Sequence, residues 1–217
     1  MHYIPYVNSP ELLKKSYESA RFMQEVTVID NRGILSPIED PKQYFKLCKG
    51  HKWVKLDVSL TTAQIMNYML IESHKRGDKY FTWQHGDVEY SPELGREFEI
   101  YVQDLHRVRD DWGIIYTHHD WVAAYNVEAL MKIYGWDQYS FPYYFLDNDI
   151  ACRLDYAGYK MVIKDFGGEI SHHTSASINQ DSYRGYINGL LFPICNRLLT
   201  ERHNGHEVIN ISEKDFV

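Results

Sequence analysis

Apolar and polar positions along this chain follow two periods, and the switches between them mark out an α/β protein. Tyr3 to Val7 is a short apolar run suited to a strand. Asn8-Ser9-Pro10 then reads as a helix start, with Ser9 at the N-cap and Pro10 at the first helical position, and Leu12, Leu13, Tyr17 and Ala20 recur at helical spacing. Val26-Thr27-Val28-Ile29 is a β-branched strand closed by the turn cluster Asp30-Asn31-Arg32-Gly33. Strand, helix and strand predict a βαβ unit with a right-handed crossover.

The same grammar continues. Trp53 to Val58 predicts a strand, Thr61 and Thr62 cap a helix with Ala63, Ile65, Met66, Met69 and Leu70 on one side, and Gly77 ends it. Lys79 to Gln84 predicts a strand that runs into the polar cluster His85-Gly86-Asp87-Val88-Glu89. After Ser91-Pro92 the pattern predicts a helix over 93–107, strands over 112–116 and 121–125, and a helix over 127–134. An aromatic loop from Gly135 to Phe145 leads to Leu146-Asp147-Asn148-Asp149, a helix over 148–157 stopped by Gly158, and a strand over 160–164. The tail after Ile170 has no clear period. The expectation is an α/β, Rossmann-like fold with a central, mostly parallel mixed sheet flanked by helices. In such open sheets ligands lie beyond the carboxyl ends of the strands, where the acidic clusters at Asp30 and Asp87 fall.

Composition narrows the function. Lys and Arg total 23 against 30 Asp and Glu, a net charge of −7, with no basic run. That balance excludes a dedicated surface for polymeric nucleic acid or anionic membrane, because such binding draws on phosphate neutralisation. Cys48, Cys152 and Cys195 are widely spaced, odd in number and form no C-x-x-C pair, so neither a disulfide framework nor a thiolate zinc site is expected. Met1 to Pro5 lacks a basic region followed by an apolar stretch, and no segment approaches the roughly 18 apolar residues of a membrane span. A soluble, cytoplasmic protein is expected. The end at Phe216-Val217 carries no recognisable terminator, which leaves room for fusion to further domains on the C-terminal side.

Three constellations carry candidate chemistry. If His85 to Glu89 stays extended, His85, Asp87 and Glu89 project to one side, and carboxylates clustered there suit Mn²⁺ or Mg²⁺ with phosphate oxygens completing the shell. An isolated Asp-x-Glu is also an ordinary solvated turn. Asp147 and Asp149 flank a helix start, where a carboxylate caps backbone N–H groups, and one beside Phe145 and Leu146 is partly desolvated and more basic. His172-His173 offers an imidazole ligand or a donor to phosphate, and with His118-His119-Asp120 would also permit a His/Asp zinc hydrolase, though neither an H-x-H nor an H-E-x-x-H spacing is present. The rings from Trp136 to Phe145 suit either sugar stacking or core packing.

Taken in order, these pieces resemble a GT-A glycosyltransferase, most nearly the large inverting family known as family 2. The resemblance runs over roughly residues 3 to 177. It is carried by Pro5-Tyr6-Val7-Asn8-Ser9-Pro10-Glu11-Leu12-Leu13, by Val28-Ile29-Asp30-Asn31, and by His85-Gly86-Asp87-Val88-Glu89 in the position of the DxD element. Gly135-Trp136-Asp137, the stretch Asp147 to Leu154 with Ala157-Gly158-Tyr159-Lys160, and His172-His173 complete it. A fainter resemblance is to the N-terminal domains of large-virus capsid-glycan glycosyltransferases.

The resemblance implies roles. Pro5, Asn8, Asp30 and Asn31 would bind the nucleotide, with Asp30 on the nucleobase. Asp87 would be the main ligand of Mn²⁺ or Mg²⁺, helped by His85, Glu89 and His173, and His172, Asp149 and Arg153 would sit beside the diphosphate. Asp147 would be the catalytic base, and Trp136 and Tyr143 would face the acceptor. The chain would be one GT-A domain over 1–217, its nucleotide-binding half ending near residue 90 and its acceptor and catalytic half following. Two departures stand out: His85 replaces the first acidic residue of the DxD, and Leu146 stands where the family commonly has Glu, leaving Asp147 as the obvious base. The expected activity is transfer of a sugar from a UDP- or dTDP-linked donor to a hydroxyl of a glycan or glycoprotein, with inversion. A retaining transferase and a non-catalytic sugar- or nucleotide-binding module are the alternatives.

Overall fold

The computed structural model describes residues 1–23, 25–33, 46–117, 120–173 and 182–204. His118, His119 and the run Thr174 to Ser177 lie outside the described residues. The chain runs β1 (His2–Tyr6), α1 (Pro10–Ala20), β2 (Val26–Asp30), β3 (Lys52–Lys55), α2 (Thr62–Arg76), β4 (Tyr80–Gln84), β5 (Val88–Tyr90), α3 (Pro92–Val108), β6 (Trp112–Tyr116), β7 (Val122–Asn126), α4 (Val127–Lys132), α5 (Leu146–Tyr156), β8 (Lys160–Ile163), β9 (Ile170–His172) and α6 (Ser182–His203).

Seven strands form one sheet in the order β3-β2-β1-β4-β7-β6-β8, and β5 and β9 form a separate pair. β7 runs antiparallel to both of its neighbours, while the other adjacent pairs are parallel. This is the mixed, mostly parallel α/β sheet of the expected fold.

The sheet is buried on both faces, which is why its strands read as nearly unbroken apolar runs. Successive residues point to opposite sides. Tyr3, Ile29, Phe81 and Ile114 pack against α2, α4 and α5 through Met66, Leu130 and Ile150. Ile4, Val28 and Ile115 pack against α1 and α3 through Leu13 and Phe98. Local signals set the helix ends: Thr61 and Gln64 form a reciprocal capping box, and Gly77 closes α2 with a left-handed φ of 77°.

β3 is shorter than predicted, ending at Lys55. α6 is an element the sequence did not announce. Its apolar residues lie all around it, with Tyr186, Leu190, Phe192 and Ile194 exposed and Cys195 buried, so no single face stands out. Among the described residues no helix is long and apolar enough to cross a membrane.

Candidate active site

The carboxyl ends of β1, β2, β4 and β6 lie along one edge of the sheet. The antiparallel β7 begins at the same edge, and just before it the Trp121 carbonyl accepts the His85 backbone N–H at 3.1 Å. Most of the expected site residues sit here. A cavity of about 540 Å³ lies at the opposite edge, lined by residues such as His74, His106, Asp111 and Lys132, and contains none of them.

The segment after β4 does not stay extended, which corrects the expectation for His85, Asp87 and Glu89. The Val88 N–H bonds back to the His85 carbonyl at 3.2 Å, closing a turn. Gly86 makes the turn possible, because a β-carbon there would collide with the Pro5 carbonyl oxygen. β5 then leaves the main sheet and pairs antiparallel with β9, setting Val88 opposite His172. Replacing Gly86 with Ala should therefore displace both His85 and Asp87 and cost about 3 kcal/mol. A thermal melt and a Mn²⁺ titration of that variant check it, and wild-type values in both would contradict the packing.

The turn gathers His85, Asp87 and His172, whose candidate ligand atoms all lie within 4.8 Å of one another. His172 Nε2 is 3.3 Å from Asp87 Oδ1, and the His85 and His172 rings meet edge to face at 5.3 Å. Trp83 packs on His85 and Trp121 on His172, fixing both imidazoles. Two imidazoles and one buried carboxylate fit a divalent transition ion such as Mn²⁺ better than Mg²⁺, which prefers oxygen alone.

Glu89 and His173 form a separate pair at 2.8 Å, with Lys15 3.7 Å from Glu89. The geometry thus exchanges the expected positions of the two adjacent histidines: His172 joins Asp87, and His173 joins Glu89.

Asp147 enters from the start of α5. Phe145, the residue before the helix, has φ 59°, a left-handed conformation costly for an aromatic residue. Burial first, and the neighbouring Asp120 carboxylate second, push the Asp147 carboxyl up to about 6 from 3.8, against the backbone N–H bonds of the helix start and the His85 imidazole. His85 feels the same carboxylates. Burial alone would lower its imidazole, but the hydrogen bond to Asp120 and the charges of Asp120, Asp87 and Asp147 outweigh burial and raise it. Asp87, Asp120 and Asp147 therefore all act electrostatically on one imidazole.

Asp120 is the participant that sequence reasoning left in the zinc-hydrolase alternative. Its Oδ2 lies 3.3 Å from His85 Nε2. Its signal was positional, a carboxylate in the turn that follows a buried strand.

Other predicted residues are engaged elsewhere. Asp149, 1% exposed, takes Arg153 at 2.8 Å on one oxygen and Arg202 and His203 at 3.1 and 3.0 Å on the other. Asp149 and Arg153, expected beside a diphosphate, are joined to each other, and Asp149 ties α6 to α5. Asp30 is gripped by Arg32 through two 2.8 Å bonds, with the guanidinium over the Tyr6 ring. Asn31 uses its amide to hold Leu60 at both N–H and carbonyl, fixing the loop before α2. Pro5 lies in β1 and Asn8 in the turn before α1. Trp136 is 3% exposed and packs edge-on against Tyr125, which withdraws it from any acceptor, whereas Tyr143 is exposed.

No protein-family model and no curated protein matches the chain. Solved structures do. *S. aureus* TarS 1-349 superposes with a TM-score of 0.59 at 10% identity, over 99% of this chain and 76% of that one. The TarS 1-349 complex with UDP-GlcNAc gives 0.58 at 12% identity over 81% of this chain and 60% of that one. A longer TarS structure gives 0.61 at 11% identity over 93% of this chain, which spans 39% of its length. The likeness is one of fold: a mixed seven-stranded α/β sheet flanked by helices, the GT-A type of fold.

Proposed function

We propose that the protein transfers a sugar from a UDP- or dTDP-linked donor to a hydroxyl of a glycan or glycoprotein, with inversion at C1 and Asp147 as the base. The observation that carries this reading is the cluster of His85, Asp87 and His172 at the carboxyl edge of the sheet, with the Asp147 carboxylate near enough to act on His85 electrostatically. Support also comes from the structural neighbour bound to UDP-GlcNAc. The inverting course follows from the family 2 resemblance.

In this reading the half up to about residue 90 holds the nucleotide. Pro5, Asn8 and Asn31 line its place, and Asp30 meets the nucleobase together with its partner Arg32. His85, Asp87 and His172 would hold Mn²⁺ or Mg²⁺, with His173 and Glu89 alongside. A bound cation would offset the charge that gathers on the departing diphosphate. Asp120 orients His85, as carboxylates do for ligating imidazoles. The half from 91 onward supplies the chemistry on the acceptor side. The acceptor oxygen forms its bond to C1 as the C1–O bond to phosphate breaks, the electron pair leaves with the diphosphate, and the acceptor proton passes to an Asp147 oxygen.

A thermal-shift panel of UDP, dTDP and GDP with and without Mn²⁺ tests the donor side. A ligand at 100-fold excess over its Kd stabilises by about 2.7 kcal/mol, or roughly 5–10 °C for a chain of this size. UDP or dTDP should give such a shift only with the metal, and Asp87→Ala should remove it. The absence of a shift with all three nucleotides rejects the transferase reading. A shift without donor turnover, whatever the acceptor, favours the binding module.

A further inference from the structure

The charged and imidazole side chains of the cleft account for a donor and a cation, but the acceptor reading had rested on Trp136, which is buried, and on Tyr143. A different set of rings gathers at the helix start that carries Asp147. Tyr144 and Phe145 end the loop that leads into α5, and Phe192 reaches them from α6. Phe192 meets Tyr144 edge-on at 5.4 Å and Phe145 tilted at 5.0 Å, yet remains 50% exposed. Part of its surface is packed on the other two rings and part faces water.

We infer that Phe192, with Tyr144 and Phe145, forms the acceptor subsite and takes the apolar C–H face of a pyranose ring; this rests on the transferase reading of the same cleft. The chemistry is specific to carbohydrate. A sugar ring offers C–H groups on its face and hydroxyls at its rim, so it stacks on an aromatic surface while an edge hydroxyl turns towards a neighbouring base. Phe145 precedes Asp147 by two residues, so the ring cluster and the carboxylate are parts of one helix start. The left-handed backbone at Phe145 gives a second reason to assign function here, because strained non-glycine residues persist where the surroundings over-determine them and cluster at active sites. Tyr143, exposed and adjacent in sequence, extends the surface. α6 thus carries the acceptor wall as well as the Arg202 and His203 anchors that hold it to Asp149.

Saturation-transfer NMR with methyl glycosides of glucose, galactose and N-acetylglucosamine, in the presence of UDP and Mn²⁺, tests the subsite, with glycerol as the hydroxyl-only control. At least one glycoside should bind, with its strongest transfer to the protons of one ring face, and glycerol should not. Phe192→Ala should weaken that binding at least fivefold and Phe192→Tyr should restore it, both with an unchanged UDP–Mn²⁺ thermal shift. Glycoside binding that is indifferent to Phe192→Ala overturns the subsite, as does a lack of glycoside binding while the nucleotide shift is intact. A Phe192→Ala effect confined to self-association in sedimentation would make these rings an interface between copies and also overturns it. Loss of the nucleotide shift in the wild-type protein would instead remove the transferase reading on which the subsite rests.

Discussion

Asp147→Asn should lower sugar transfer by about 10²–10⁴-fold, the usual contribution of a positioned general base, while UDP binding in the presence of Mn²⁺ stays at the wild-type level. The same substitution should make the nucleotide-free protein more stable. Asp147 has a folded pKa of about 6 against 3.8 for an unperturbed carboxyl. The folded state therefore holds its proton more tightly than the unfolded chain does. The ionised carboxylate is a destabilising group in the native cleft, with no penalty below about pH 4, a growing one between 4 and 6, and the full one above 6. At 1.36 kcal/mol per unit the penalty is at most about 3 kcal/mol, and partial solvent access reduces it. Asn removes the charge, so melts of wild type and variant should coincide at pH 4 and separate by several degrees at pH 7. A bound cation attracts the carboxylate's charge, so the acid limb of the transfer profile should fall at or below pH 6. Near-normal turnover by Asp147→Asn would remove the residue from the role of base. Equal melts at pH 7 would contradict the crowded electrostatics around Asp120.

Much of the fold was legible because its signals are local. The first βαβ unit, the Ser9-Pro10 and Thr61 helix starts and the Gly77 stop each depend on residues within one turn of one another. What escaped the reading depends on distant pairing or on direction. Periodicity gives a strand but not its sense, so the antiparallel β7 and the contact of Asp120 with His85 just before it were hidden. β5 and β9 have three residues each and pair across some eighty residues of chain, below any pattern a sequence window can detect. That pairing decides which of His172 and His173 reaches Asp87.

The site shows the same division. Asp87 and Asp147 stand out as carboxylates beyond or beside apolar runs, and both act electrostatically on His85. Asp30 carries a local clue to its other partner, since an arginine two residues on can fold back over a tight turn, and Arg32 does so. Asp149 was harder. It lies two residues from Asp147 on the same helix, and at 100° per residue the two side chains leave α5 about 200° apart. One points to the cleft and the other to α6, but α6 itself had no period by which to be recognised.

That divergence makes Asp149→Asn the strongest expected loss of stability. The substitution keeps the shape of the side chain and removes the charge against which Arg153, Arg202 and His203 are set. Breaking a buried ionic cluster by deleting one partner costs about 3–5 kcal/mol, and Arg202, which is partly exposed and keeps its 2.7 Å bond to Asp137, sets the expected loss towards the lower end. For a chain of this size that is a fall in Tm of roughly 6–20 °C. The loss should be localised first. Hydrogen exchange should rise along α6 before the sheet opens, because Asp149 is the buried link between α6 and α5 while β1, β2 and β4 keep their own core. Function separates the two roles open to this residue. A carboxylate and arginine beside a diphosphate would, on substitution, weaken UDP binding directly. A clamp on α6 leaves the UDP–Mn²⁺ shift intact and loosens Phe192, so sugar binding weakens while nucleotide binding does not. The clamp predicts that second pattern at temperatures below the variant's melt, and a tenfold loss of UDP affinity there would return Asp149 to the donor site.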